Sequence, residues 1–228
     1  MPSTMNDRQE TFDLGDLRYV VVEGPIGVGK TSLAKRLAET FASELLLEQA
    51  DENPFLERFY RHPRHAALPT QLYFLLQRAR QIEQLRQSDM FAPVRFADFL
   101  IEKDRLFAEL NLDASELALY EQVASTLNLD PPKPDLVVYL QAPAHVLMKR
   151  VASRGIPYEQ FIDQEYLERL GEAYARFFYD FEDAPLLIVN AASIDPVHRE
   201  SDYLELLRMI VRVKGGRHFF NPSSAAFA

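Results

Sequence analysis

The 228-residue sequence contains no cysteine, has few glycines and has no apolar run near the roughly 18 residues that a bilayer-crossing helix needs. The missing cysteine excludes a disulfide framework and any thiolate metal site. Positive charge is also in deficit, with 25 Lys and Arg against 34 Asp and Glu and a formal net charge of -9. Such a surface argues against nucleic acid as the partner and leaves a phosphorylated small molecule open. The opening segment "MPSTMNDRQETFDLGD" lacks the basic and apolar regions of a signal peptide, so a cytoplasmic protein without membrane attachment is expected. No internal repeat is evident. The five histidines show no metal-ligand spacing; His62 and His65 flank Pro63 in what reads as a loop and are assigned no ligand role.

What is present is an ordinary globular balance, 47% apolar and 26% charged, in a length suited to one sizeable core. Residues 1–16 read as a flexible N-terminal arm and 215–228, "GGRHFFNPSSAAFA", as a flexible tail punctuated by glycine, proline and serine. A single domain over 17–214 is expected between them. Within it, short apolar runs alternate with helical patterns: "RYVVVEG", "ELLLEQ", "FAPVRFAD", "PDLVVYLQA" and "APLLIVNA" read as strands. Strands apolar on both faces and separated by helices predict an α/β fold, a five-stranded parallel sheet with helices on both faces. Ligands of such sheets sit at the carboxyl ends of the strands.

Three of the eight glycines fall in one short stretch, "EGPIGVGKTS", directly after an apolar strand and before a helical pattern. Gly24, Gly29, Lys30 and Thr31 fill the pattern G-x-x-x-x-G-K-S/T. Backbone N–H groups must converge there on phosphate oxygens with no side chain in the way, and a helix amino terminus adds its positive end. Gly24, Ile26, Gly27, Val28, Gly29, Lys30, Thr31 and Ser32 are therefore expected to hold ATP, Lys30 at the β- and γ-phosphates and Thr31 at Mg²⁺. The same loop serves switches, motors and small-molecule kinases alike, so the fate of the γ-phosphate is a separate question.

Further residues bear on that question. Glu48 leaves the carboxyl end of the second strand, where a carboxylate takes the proton of an acceptor hydroxyl or is surface charge, as Asp51, Glu52 and Glu57 are read to be. Gln71 and Arg78 are seven residues apart on a helical pattern, about 20° from one another on a largely apolar face shared with Leu75 and Ile82. They either snorkel from a core edge or line a cavity suited to the edge of a nucleobase. Arg150 and Arg154 precede a Gly-Ile-Pro break and Glu159, a pattern of either a lid over polyphosphate at about 150–163 or a solvated helix end.

Taken together, the phosphate loop, "NPFLERFY", "QLYFLLQRAR", the Asp98 to Ala108 segment, "PDLVVYL" and the "RVASRG…YLERL" stretch resemble the deoxynucleoside kinase family at family-like spacing from about Tyr19 to Leu187. The length is closest to the compact bacterial deoxyadenosine and deoxyguanosine kinases. The resemblance implies a P-loop kinase fold with a helical lid and transfer of the ATP γ-phosphoryl group to the 5′-hydroxyl of a deoxynucleoside, purines favoured, in nucleotide salvage. It implies Glu48 as general base, Gln71 at the base edge with Arg78 beside it, Tyr60 and Glu159 at the sugar 3′-hydroxyl, Arg150 and Arg154 over the phosphates, and Asp98 linked to Mg²⁺. It also implies a homodimer through long helices.

Two positions depart from the pattern. No arginine follows Asp98, leaving Arg95, Lys103 or Arg105 as substitutes, and Ile156 stands where a further lid arginine falls. Lys103 sits where some members place an acidic base-reading residue. The alternatives are a thymidylate-type monophosphate kinase, whose acceptor phosphate an acidic Glu48 repels, and a non-catalytic ATP-binding regulatory module.

Overall fold

The computed structural model describes residues 11–86 and 94–222. The first apolar run is β1 (Tyr19–Glu23), and all five of its residues are buried. A strand buried on alternate residues of both sides must have both of its faces covered, and this one lies inside the sheet. Pairing in the order β2 (Glu44–Leu46), β3 (Arg95–Ala97), β1, β4 (Leu136–Gln141), β5 (Leu186–Asn190) and β6 (Arg217–Phe220) gives a six-stranded sheet, every ladder parallel. In register, Val21 of β1 lies between Ala97 of β3 and Val137 of β4.

The sheet therefore has six strands, not five. The additional strand falls in the segment expected to be a loose tail. Gly216 adopts φ 68, a left-handed conformation that only glycine takes without strain, and the chain then runs beside β5 with Ile188 opposite Phe219. Its alternating exposed and half-buried residues are those of a short edge strand, whose weak apolar pattern does not announce itself in sequence. Residues 223–228 of the expected tail and 1–10 of the expected arm lie outside the described residues. Of the arm's described part, Leu14 is buried and Phe12 packs against the same core, so the domain's packing begins before residue 17.

Helices fill the crossovers. α1 (Lys30–Thr40) buries Leu33, Ala34, Leu37 and Ala38, and neighbours α8 (Glu200–Arg212) through a hydrogen bond between Thr40 and Tyr203, 2.5 Å. α7 (Gln164–Tyr179) presents Leu167, Leu170, Tyr174 and Phe178 at spacings of three and four, one stripe of a helix. Tyr139 of β4 stacks on Phe178 with ring centroids 4.1 Å apart, beside Tyr174 at 6.0 Å. Aromatic pairs of this kind add about 0.5–1.5 kcal/mol to the gain from burial. The remaining elements are α2 (Leu56–Arg61), α3 (Pro63–Arg86), α4 (Lys103–Asn111), α5 (Ala114–Leu127) and α6 (Ala144–Arg154).

α3 differs from expectation at its start, because Pro63 and His65 lie in its first turn instead of a loop. Proline is tolerated there, where its missing N–H has no helical partner. α5 is delimited by chemistry visible in sequence: Asp113 accepts from the N–H groups of Ser115 and Glu116 while Glu116 reaches back to Asp113, a capping box.

β1 sits at the point where the strand order reverses, with β3 on one side and β4 on the other. Connections leaving the carboxyl ends there diverge and open a crevice.

Candidate active site

The segment between β1 and α1 enters that crevice. Gly24 takes φ 148, and a Cβ there would lie 2.4 Å from the Leu140 carbonyl oxygen; at Gly27, φ 81, it would lie 2.8 Å from a Val151 methyl. Glycine is required at both by space and by backbone. Gly29, φ 105, caps α1 and faces open space. The Lys30 ammonium curls across the loop and donates to the carbonyls of Gly24, 2.7 Å, and Pro25, 3.2 Å. Its pKa is lowered, first by burial and then by the neighbouring Lys103 ammonium. The Thr31 hydroxyl donates to Asp98 Oδ2 at 2.5 Å, and Asp98 Oδ1 accepts the Glu48 N–H at 2.7 Å. Asp98 thus joins the ends of β2 and β3 to the start of α1.

Two cavities meet at this loop. One, about 670 Å³, is lined by 27–33, Arg150 and the 191–198 segment. The other, about 150 Å³, is lined by Glu48, Tyr60, Gln71, Arg78, Asp98 and Glu159 among others, and shares Gly27, Lys30, Thr31 and Arg154 with the first.

Glu48 is held from several sides. α3 reaches the chain on either side of it, Gln81 donating to the Leu47 carbonyl at 3.1 Å and Gln77 to the Gln49 carbonyl at 3.2 Å. Its side-chain oxygens accept from Arg78 and, at 3.1 Å, from Lys103. Burial alone would raise the carboxyl pKa, but Lys103, Arg78 and Lys30 pull it down to about 2. Arg78, 3% exposed, divides its guanidinium between Glu48 and Asp104. Gln71, one turn-pair earlier, is also 3% exposed. The snorkelling alternative therefore fails for both residues, which line the cavity from within. Thr70 Oγ1, Arg78 Nε, Asp104 Oδ2 and Tyr166 Oη are buried without a hydrogen-bond partner. Unpaired buried polar atoms are costly, and four along one cavity mark a place for a polar ligand.

The segment after α6 covers the cleft. Gly155 ends α6 with φ 69, and a 3-10 turn, Pro157–Phe161, follows. Arg154 pairs with Glu159 at 3.0 and 2.5 Å, and the Tyr158 ring stacks on Tyr60 with centroids 6.0 Å apart and planes 7° from parallel. Burial pushes the Tyr60 hydroxyl pKa well up, so it stays a donor. Arg150 lies on the other side of the loop, donating to the carbonyls of Val28, 3.1 Å, and Ala191, 2.7 Å. Ile156 precedes the turn and leaves the position without charge.

Three participants escape a sequence reading. Asp104 is the partner of Arg78; its signal is its place four residues before Ala108 on the buried stripe of α4. Asp51, read as surface charge, accepts from the Tyr158 hydroxyl at 2.6 Å across the cleft. Glu23, fully buried at the end of β1, accepts from the Gly24 N–H at 2.8 Å, the Leu100 N–H at 2.5 Å and the Tyr174 hydroxyl at 2.9 Å.

The donor set fits a nucleotide and its metal. The glycine cradle excludes side chains on one side and is open at Gly29, while Thr31 and Asp98 bring two hard oxygens together. Among the described residues no group of three or more His, Asp or Glu side chains gathers as a metal site. Mg²⁺ binds well through one or two protein oxygens plus substrate phosphates and water.

A phosphate loop at the switch point of a parallel sheet, opening into a second cleft with a carboxylate at its floor, defines a P-loop phosphotransferase. The deoxynucleoside kinase family model matches residues 20–213, and the chain belongs to that family, whose members phosphorylate deoxynucleosides. It is 34% identical over 193 residues to the deoxyguanosine kinase of Bacillus subtilis, covering 81% of this chain and 92% of that protein. It is 28% identical over 208 residues to the deoxyadenosine kinase of Lactobacillus acidophilus, covering 85% and 95%. Among solved structures, M. mycoides deoxyadenosine kinase with bound dATP matches the fold with a TM-score of 0.73, at 23% identity, over 85% of this chain and 98% of that one.

Among the described residues no helix is long and apolar enough to cross a membrane.

Proposed function

We propose that this enzyme transfers the γ-phosphoryl group of ATP to the 5′-hydroxyl of a deoxynucleoside, with purine deoxynucleosides favoured, as a Mg²⁺-dependent cytoplasmic homodimer serving nucleotide salvage. The observation that carries the reading is the single small cleft in which Glu48, Tyr60, Gln71, Arg78 and Glu159 open onto Lys30 and Thr31. The names of the Bacillus and Lactobacillus relatives support the purine preference.

In this reading the loop N–H groups and Lys30 hold the triphosphate and neutralise charge as the phosphoryl group moves. Thr31 and Asp98 would hold Mg²⁺, which would supply charge neutralisation to the phosphates. Gln71 offers both a donor and an acceptor to the base edge, while Asp104 Oδ2 accepts from a base N–H. Tyr60 and Glu159 hold the sugar 3′-hydroxyl. Glu48 accepts the hydrogen bond of the 5′-hydroxyl. A carboxylate with its pKa near 2 is a weak base toward a free alcohol, so it takes the proton late, once bonding to phosphorus has made the hydroxyl acidic. Arg154 lies between the two cavities, and Arg150 closes the nucleotide side.

The test is ADP release with ATP and Mg²⁺, offering the four deoxynucleosides and deoxythymidine monophosphate separately, beside Glu48→Gln. Turnover on deoxyguanosine or deoxyadenosine, lowered at least about 100-fold in the variant, is expected. Turnover confined to the monophosphate overturns the assignment of acceptor, and wild-type turnover by Glu48→Gln overturns the assignment of the base.

A further inference from the structure

The residue after Asp98 is Phe99, fully buried in the core, so the segment that brings Asp98 to the phosphates brings no cation with it. Of the three basic residues nearby in sequence, Arg95 turns to Glu44 at the sheet's far side, and Arg105 is 70% exposed and pairs with Glu109 and Glu121. Lys103 alone points inward. It opens α4 with a side chain 3% exposed, and its Nζ lies 3.1 Å from Glu48 Oε2 and 3.8 Å from Glu23 Oε2.

A lysine stem is flexible, and its ammonium is held in one place only when its surroundings hold it. Here they do. Glu23 is fixed by three donors, the Gly24 N–H of the phosphate loop, the Leu100 N–H and the Tyr174 hydroxyl of α7. Lys103 therefore hangs from an anchored carboxylate and reaches the one that faces the cleft. Arg78 takes Glu48 Oε1 and Lys103 takes Oε2, so one charged donor on each oxygen defines the carboxylate plane and leaves the remaining lone pairs facing the cleft, toward which Glu48 is 22% exposed. An ion pair serving stability alone has no need of a member open to a ligand cavity.

We propose that Lys103 is a positioning residue of this active site, which fixes Glu48 from the first turn of α4. The inference rests on the reading of Glu48 as the group that receives the 5′-hydroxyl proton.

Lys103→Met keeps the apolar stem and removes the charge, and Lys103→Arg restores a charge. Both are compared with wild type, with Glu48→Gln and with the Lys103→Met/Glu48→Gln pair, by kcat and deoxynucleoside KM at saturating ATP and by ADP affinity. ADP affinity within about threefold of wild type certifies an intact phosphate loop. The expected result is a kcat lowered about 100-fold in Lys103→Met with KM changed less than about threefold, partial recovery in Lys103→Arg, and no further loss when Lys103→Met is added to Glu48→Gln. Losses that multiply in the double variant overturn the proposal, because Lys103 then acts independently of Glu48. A kcat within about threefold of wild type in Lys103→Met, beside an inactive Glu48→Gln, overturns it while leaving Glu48 in place, and an active Glu48→Gln overturns both.

Discussion

At the scale of single residues, backbone geometry makes the sharpest demand. A methyl at Gly24 would meet the Leu140 carbonyl oxygen 2.4 Å away, on a backbone at φ 148, and neither partner is a mobile side chain. Gly24→Ala is therefore expected to lower nucleotide affinity at least about tenfold, since the loop must move off its cradle, and calorimetric titration with ADP measures this. Residues in this loop were legible because all its chemistry is contiguous from Gly24 to Ser32. Gln71 and Arg78 were legible as a pair because seven residues are close to two helical turns. Asp104 was not, because its meeting with Arg78 depends on how α4 packs against α3, which no local spacing encodes. For the same reason Lys103 could not be chosen over Arg95 and Arg105 until the direction of each side chain was known.

At the scale of elements, the segment between α6 and α7 is held by contacts with the elements around it, α2 and α6 among them. Two of them cross the cleft: the Tyr158 hydroxyl to Asp51, and the Tyr158 ring on Tyr60. Tyr158→Phe removes the first and keeps the second. An exposed hydrogen bond of this kind contributes about 0.5–1.5 kcal/mol, so the variant is expected to raise the deoxynucleoside KM about two- to tenfold with Tm nearly unchanged. An unaltered KM would sink the view that this contact closes the cleft. The elements themselves were read well where apolar runs are long, as in β1 and β4. β6 escaped because four residues of an edge strand carry no continuous run, and the extent of α3 was understated because Pro63 reads as a breaker in sequence but stands at a helix start.

At the scale of the whole molecule, the acidic balance of the sequence coexists with a cationic interior at the site. Lys30, Arg78, Lys103, Arg150 and Arg154 gather where two cavities join, so the average charge said little about the local one. The apolar residues of α3 divide in the structure. Leu75 and Ile82 belong to the core, whereas Leu76 on α3 and Leu119 on α5 are each 46% exposed. These are exposed apolar side chains that the proposed homodimer would bury. Sedimentation is expected to give a dimer for the intact chain and a monomer for Leu76→Glu combined with Leu119→Glu; a monomeric wild type removes the dimer.

The late strand β6 lies past residue 213, where the family match ends, yet it occupies the last place in the sheet. Without it, the polar backbone edge of Leu186–Asn190 would stand open, a short and strongly apolar strand ready to pair with the same strand of another molecule. Arg217 and His218 give the boundary a charged and polar border, and Arg217 further ties it to the carbonyls of Phe178 and Tyr179 at 2.9 Å. The segment that reads as a flexible tail is thus the one that covers the edge of β5.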